Sequence, residues 1–210
     1  FIRERNMNTI LDKFGIYDLI AVLMSGITIL TFTLLVLQIV YDIDISIKPS
    51  DTLQFLVISY FIGLFFQELG SLVFKRGKPR NSKLLNEALC SLSETEKSCL
   101  YKIFREKIKT QTTDIEDIYN YCKYYIIKNL NTTKMDKDLS ISGMSRSLSL
   151  YFGLLMVFSF LTIFIKPTCL TIISPLIYGI ISSLLYLRYL RFTKLRYTNI
   201  FRTFLYNFFE

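Results

Sequence analysis

Residues 53–74 read LQFLVISYFIGLFFQELGSLVF, an apolar run whose one charge is Glu68. The run does not alternate polar with apolar residues, so it does not fit a strand of a β-barrel. Its length is about the ~20 residues that a helix needs to cross ~30 Å of hydrocarbon. Three more runs of this kind occupy residues 15–41, 148–165 and 169–187, and the only charge in them is Asp18, near the start of the first. A soluble chain seldom holds four such stretches. The pattern therefore predicts an all-α, multi-pass transmembrane helix bundle: four spans arranged as two hairpins, with a small helical cytosolic insertion at 75–147. Helical spans satisfy their own backbone hydrogen bonds, which lipid cannot do for them.

Composition agrees with this class. Of 210 residues, 51% are hydrophobic and 15% aromatic, too few polar residues to coat a soluble fold of this size. The net charge is +8, and its placement says more than its size. Lys and Arg number three before the first span (Arg3, Arg5, Lys13), one between spans one and two, fifteen from Lys75 to Arg146, one between spans three and four, and five after the last. Cytoplasmic segments carry such excesses. Both termini and the insertion are expected in the cytoplasm, the two short connections outside, and the protein in the cell inner (plasma) membrane. No cleavable signal peptide is expected, because the first run is too long for an h-region of ~7–15 residues and no small-x-small site follows it. The chain opens on Phe1, whereas Met7 heads MNTILDKFGIYD, so Phe1–Asn6 is expected to be upstream sequence or the edge of a fragment.

Small residues recur inside the spans: Ala21, Ser25 and Gly26, then Gly63 and Gly70, then Gly153, then Gly179, Ser182 and Ser183. They let helix backbones approach in lipid, where packing drives association. They are read as packing surfaces within one subunit. The first hairpin turns at Asp42–Thr52 with Pro49; the second turns on Lys166-Pro167-Thr168, which forces antiparallel neighbours. Pro175, near Gly179, hints at a broken fourth span.

The insertion reads as three amphipathic helices, each too short to build a large core alone. The first covers 82–91 with Leu84, Leu85, Ala88 and Leu89 on one stripe. Ser93-x-x-Glu96 has the form of a capping box ahead of Cys99, Leu100, Ile103, Phe104 and Ile108. Thr113-x-x-Glu116 has the same form ahead of Ile115, Ile118, Tyr119, Cys122, Tyr125 and Ile126. The polar stretch 131–145 then leads back to the membrane. The tail, 188–210, is basic and aromatic together, the composition of a helix lying in the interface. Its Arg188, Arg191, Lys194 and Arg202, with Lys75, Arg76, Lys78 and Arg80 at the start of the insertion, are assigned to contact anionic lipid headgroups. No nucleic-acid partner is expected, although basic-plus-aromatic composition also suits one.

Chemistry-bearing patterns are sparse. There is no histidine, the commonest general base and metal ligand, and the four cysteines lack C-x-x-C spacing. They are read as small buried hydrophobes. No catalytic, cofactor or metal site is assigned, and no enzyme activity is expected. Glu68 is the costly residue: it lies seven residues before Lys75, so ~10 Å inside the boundary, where a carboxylate costs a few kcal/mol. Asp18, Gln67, Glu68 and Arg146 are assigned as a polar cluster at the cytoplasmic mouth of the bundle.

Three segments and the basic aromatic tail together resemble small bacterial four-span membrane proteins: FGIYDLI at 14–20, FFQELG at 65–70 and GMSRSL at 143–148. The resemblance covers most of the chain, and that group carries no activity to transfer. Some small multi-span proteins of that kind are membrane components of anti-phage defence systems, which implies antiviral defence by analogy. The expected function is a non-enzymatic membrane effector or scaffold. Its cytosolic helices would sense a protein partner, and its spans would form a homo-oligomer or perturb the bilayer. The alternative is a small ion channel or transporter subunit in which Glu68 lines the path.

Overall fold

The computed structural model describes residues 16–41, 51–75, 78–106, 114–129, 133–165 and 167–208. Among them the chain is all-α, with seven helices: α1 Ile16–Tyr41, α2 Thr52–Lys75, α3 Lys78–Cys90, α4 Glu94–Glu106, α5 Ile115–Asn129, α6 Thr133–Ile165 and α7 Cys169–Phe208. Four of these are long and apolar enough to cross a membrane, over Tyr17–Gln38, Thr52–Phe74, Asp136–Phe164 and Thr171–Phe208. Residues 1–15, including Met7 and Lys13, and the connection at 42–50 with Pro49 lie outside the described residues, as do Gly77, Ile108 and Lys166. The chain divides into two units: Phe1–Phe74 with Ser140–Tyr189, and Lys75–Leu139 with Leu190–Glu210.

Two boundaries differ from those read in the sequence. The helix of the third span begins at Thr133, so the stretch read as a connection is helical, and residues 140–147 of the supposed insertion belong to the first unit. The tail is no separate element either, since α7 runs unbroken from Cys169 to Phe208 through Pro175. Proline cannot donate to the carbonyl four residues back. That carbonyl, on Thr171, accepts instead from Ser174 Oγ at 3.2 Å. The start of α7 is fixed by Thr168, whose Oγ1 accepts from Thr171 N–H at 3.2 Å while Thr171 Oγ1 accepts from Thr168 N–H at 2.8 Å.

The first unit exposes many apolar side chains and buries serines beside a small apolar core of Ile29, Leu148, Tyr151 and Phe152. Its buried residues include Ser25, Ser59, Ser140, Ser142, Ser145, Ser147 and Ser149, while Leu53, Phe61, Phe65, Phe164, Leu176 and Leu184 are each more than half exposed. Water would penalise that arrangement twice, once for the exposed apolar surface and once for the buried polar groups. Lipid removes the first penalty, and local hydrogen bonds reduce the second. Ser147 Oγ donates to Gly143 O at 3.0 Å, and Ser25 Oγ donates to Val22 O at 2.8 Å.

Helix α1 packs on α2 through glycine. A Cβ on Gly26 would sit 1.7 Å from Ser59 O, and one on Gly63 would sit 2.1 Å from Val22 O. Each glycine thus turns a Cα hydrogen toward a carbonyl of the facing helix, a contact worth ~0.5–1 kcal/mol. The pairing is antiparallel, because a step of four residues up α1 from Val22 to Gly26 is a step of four down α2 from Gly63 to Ser59. Helices α6 and α7 pair in the same sense. Ser149 Oγ donates to Ser182 O at 3.0 Å and Ser182 Oγ donates to Ser149 O at 2.8 Å, while Gly179 faces Met156. An aromatic cluster lies farther along: Phe32 meets Phe152 and Tyr178 edge-on at 5.2 and 5.9 Å, and Tyr151 shares a hydrogen bond with Thr33 at 2.8 Å.

The second unit has a larger apolar core. Leu84, Leu85 and Ala88 of α3, Leu100, Ile103 and Phe104 of α4, and Ile118, Cys122 and Ile126 of α5 are buried together with Tyr197, Ile200, Phe201, Phe204 and Leu205 of α7. Three short helices thus obtain the fourth wall that they lacked from the end of α7. The Ser93 cap forms as its spacing predicts: Ser93 Oγ accepts from Glu96 N–H at 3.2 Å, and Glu96 Oε2 accepts from Ser93 N–H at 2.8 Å. At the start of α5, Asp114 Oδ1 accepts from Glu116 N–H at 3.0 Å. Thr113 lies outside the described residues.

The glycine contacts yield a matched test. In Gly26→Ala the new methyl falls on a backbone carbonyl that cannot move aside, so the full chain in detergent should lose about 1–3 kcal/mol of unfolding free energy. In Gly153→Ala the nearest atom, Ser182 Oγ, lies 3.4 Å from the new methyl, and the change should stay within about 0.5 kcal/mol. Equal effects for the two variants would contradict the close approach.

Candidate functional site

The polar residues singled out in the spans do not form one cluster. Gln67 shares a face of α2 with Gly63 and Gly70, the face turned into the bundle. Arg146 on α6 lays its side chain across Gly70, its Cγ 3.3 Å from where a Cβ would stand, and its Nη2 donates to Gln67 O at 3.3 Å. Gln67 in turn places its amide 3.3 Å from the Cβ position of Gly143. Each long side chain thus lies over a glycine of the facing helix. Asp18 sits in the first turn of α1, where a negative charge suits the helix dipole, and it accepts a short hydrogen bond from Ser140 Oγ.

Glu68 is not part of this arrangement. Successive helical residues are turned by about 100°, so the step from Gln67 to Glu68 leaves the packed face. Glu68 is exposed and, among the described residues, has no hydrogen bond or ion pair. The cluster of Asp18, Glu68 and Arg146 allowed by the sequence is thus replaced by two separate contacts, Asp18 with Ser140 and Arg146 with Gln67. On α2, Val57, Phe61, Phe65, Glu68 and Leu72 form one exposed stripe at helical spacing.

The tail cations have mixed surroundings. Arg202 Nε lies 3.3 Å from Glu96 Oε1, and Lys194 Nζ lies 3.9 Å from Glu87 Oε2. Three aromatic side chains of the tail read as an interfacial helix, Tyr197, Phe201 and Phe204, are in the core of the second unit: Phe204 meets Tyr125 at 5.2 Å and Tyr197 meets Tyr119 at 5.0 Å. The reason is periodicity. Tyr197, Ile200, Phe201, Phe204 and Leu205 follow i, i+3, i+4, i+7, i+8, one apolar stripe. Arg196, which the sequence reading passed over, reaches Tyr119 Oη at 3.5 Å and covers the Tyr197 ring at 5.2 Å. Arg188 and Arg191 are exposed. Lys75, Lys78 and Arg80 lie on helices, and Arg76 lies outside the described residues.

The cysteines divide. Cys122 is buried, and burial pushes its thiol far up. Cys99 is half-buried, while Cys90 and Cys169 are exposed, contrary to their reading as buried residues. Among the described residues no group of three or more His, Cys, Asp or Glu side chains is placed to hold a metal ion. Compared with known proteins, the chain matches no family model, no curated protein and no solved structure.

The cap of α4 has a pH signature. The Ser93 backbone N–H holds the Glu96 carboxyl below its ordinary value of 4.5, partial burial working against this and Arg202 adding to it. A depressed folded-state value stabilises the fold above the unfolded value and ceases to as pH falls through the folded one. Acid unfolding of the full chain should therefore steepen below about pH 4.5, and Glu96→Gln should flatten that part of the curve. Ser93→Ala should cost about 1 kcal/mol at neutral pH. An acid limb identical in Glu96→Gln would contradict the assignment.

Proposed function

We propose that the chain is a non-enzymatic integral membrane effector or scaffold whose spans associate with a second copy through the exposed face of α2. The observation that carries this reading is Glu68, a carboxylate without a partner among the described residues, set in an apolar exposed stripe. Facing lipid, such a group costs a few kcal/mol; facing another copy, it gains hydrogen-bond partners. The second unit supports a sensing role, because its core is completed by α7, the same helix that supplies the fourth span. A protein partner that altered this core would act directly on a span helix. The charge alternation supports cytoplasmic termini and insertion, an orientation read by thiol labelling from outside at Thr168→Cys in a background without the native cysteines. The proposed setting, antiviral defence at a bacterial inner membrane, rests on the sequence resemblance alone.

The alternative, a channel or transporter path lined by Glu68, needs several copies with this stripe turned to a shared axis, since Glu68 does not face the interior of its own bundle. Oligomer mass in detergent and ion flux in liposomes separate the two. The scaffold reading expects Glu68→Gln to assemble like the parent, Glu68→Leu to shift toward monomer, and neither to change flux. Normal assembly in both, with flux lost only when the carboxylate is removed, would contradict it.

A further inference from the structure

The second unit has a groove of about 350 Å3 between α3 and α7, lined by Lys83, Leu84, Glu87, Leu190, Arg191 and Lys194. This is at the lower end of the ~300–1,000 Å3 of small-molecule sites. Three cations and one carboxylate line it, an excess of two positive charges. Lys83 and Arg191 are exposed and, among the described residues, make no hydrogen bond or ion pair. Lys194 is held only loosely, its ammonium 3.9 Å from Glu87 with both side chains about half exposed. Such a pair contributes little, ~0–1 kcal/mol, so an entering anion can take Lys194 from Glu87. Like charges converging on a concave surface focus a positive potential.

We propose that this groove binds a phosphate group, and that the phosphate of an anionic phospholipid headgroup is its natural source. Arg191 and Lys194 come from one face of α7, at i and i+3, and Lys83 comes from the facing helix, so both walls of the groove supply cations. Lys and Arg supply the charge-assisted donors that phosphate oxygens accept. Leu84 and Leu190 add apolar wall, which suits an amphiphile better than a free ion. Arg191 follows Leu187, the last residue of the fourth apolar run, by four residues, about one helical turn. The proposal stands whether or not the scaffold reading holds, because it rests on the groove and not on Glu68.

The test uses the full chain in a neutral detergent. Native mass spectrometry reads affinity for phosphatidylglycerol and phosphatidylcholine, and calorimetry reads affinity for inorganic phosphate. One saturable phosphatidylglycerol site is expected, preferred over phosphatidylcholine. Lys83→Ala and Arg191→Ala should each weaken it about fivefold, following the ~1 kcal/mol of a basic residue at an anionic surface. Glu87→Gln should tighten binding, an outcome that a misfolded variant cannot give. Inorganic phosphate binding with the same order of variants would assign the groove to a free phosphate. Failure of both ligands to bind saturably, indifference to all three substitutions, or weaker binding in Glu87→Gln would overturn the proposal.

Discussion

Helices in hydrocarbon gain nothing from hiding apolar side chains from one another, because lipid tails are equally apolar. The first unit must therefore be held by contacts that lipid cannot make. The approach of Gly26 to the Ser59 carbonyl and of Gly63 to the Val22 carbonyl is such a contact, since only glycine leaves a facing carbonyl this close to a helix backbone. Gly70 and Gly143 extend the same principle to α2 and α6, each receiving a long polar side chain from the other helix. The reciprocal Ser149–Ser182 hydrogen bonds perform the corresponding task between α6 and α7. Small and hydroxylated residues lie at these helix contacts, beside the buried Ile29, Leu148, Tyr151 and Phe152, and exposed leucine, isoleucine and phenylalanine cover the outside.

The second unit obeys the rule of water-soluble proteins. Its core of leucine, isoleucine, phenylalanine and tyrosine is enclosed by α3, α4, α5 and the end of α7. Helix α7 carries both rules in sequence. Leu176, Ile180, Leu184 and Leu187 are exposed, whereas Tyr197, Ile200, Phe201, Phe204 and Leu205 are buried. The reversal follows the appearance of charge, beginning at Arg188. This explains why Tyr197, Phe201 and Phe204 do not require a membrane interface: their apolar surface is already covered by three amphipathic helices.

Much of this was legible without coordinates, and what was not has physical causes. The four spans follow from length and charge exclusion, and the Ser93 cap from its spacing. The stripes of α3 to α5 follow from helical period. The start of α6 was hidden because Ser140, Ser142 and Ser145 look like a polar connection, while here they are buried against neighbouring helices. The role of the tail was hidden because a basic aromatic helix suits a membrane surface and a protein core alike; only the phase of Tyr197, Ile200, Phe201, Phe204 and Leu205 distinguishes them. Glu68 resisted reading because adjacent residues on a helix face different ways, and sequence places Gln67 and Glu68 together.

The central claim is that the first unit turns its exposed apolar stripes to lipid and packs its helices through buried glycines and serines. It is tested most directly by nitroxide labels at Ile58, Phe61, Leu176 and Ile180, placed one at a time on the full chain in liposomes. All four parent residues are at least half exposed. The account predicts high accessibility to oxygen, which concentrates in hydrocarbon, and low accessibility to a water-soluble nickel chelate at every position. High accessibility to the chelate, or shielding from both reagents, would contradict it.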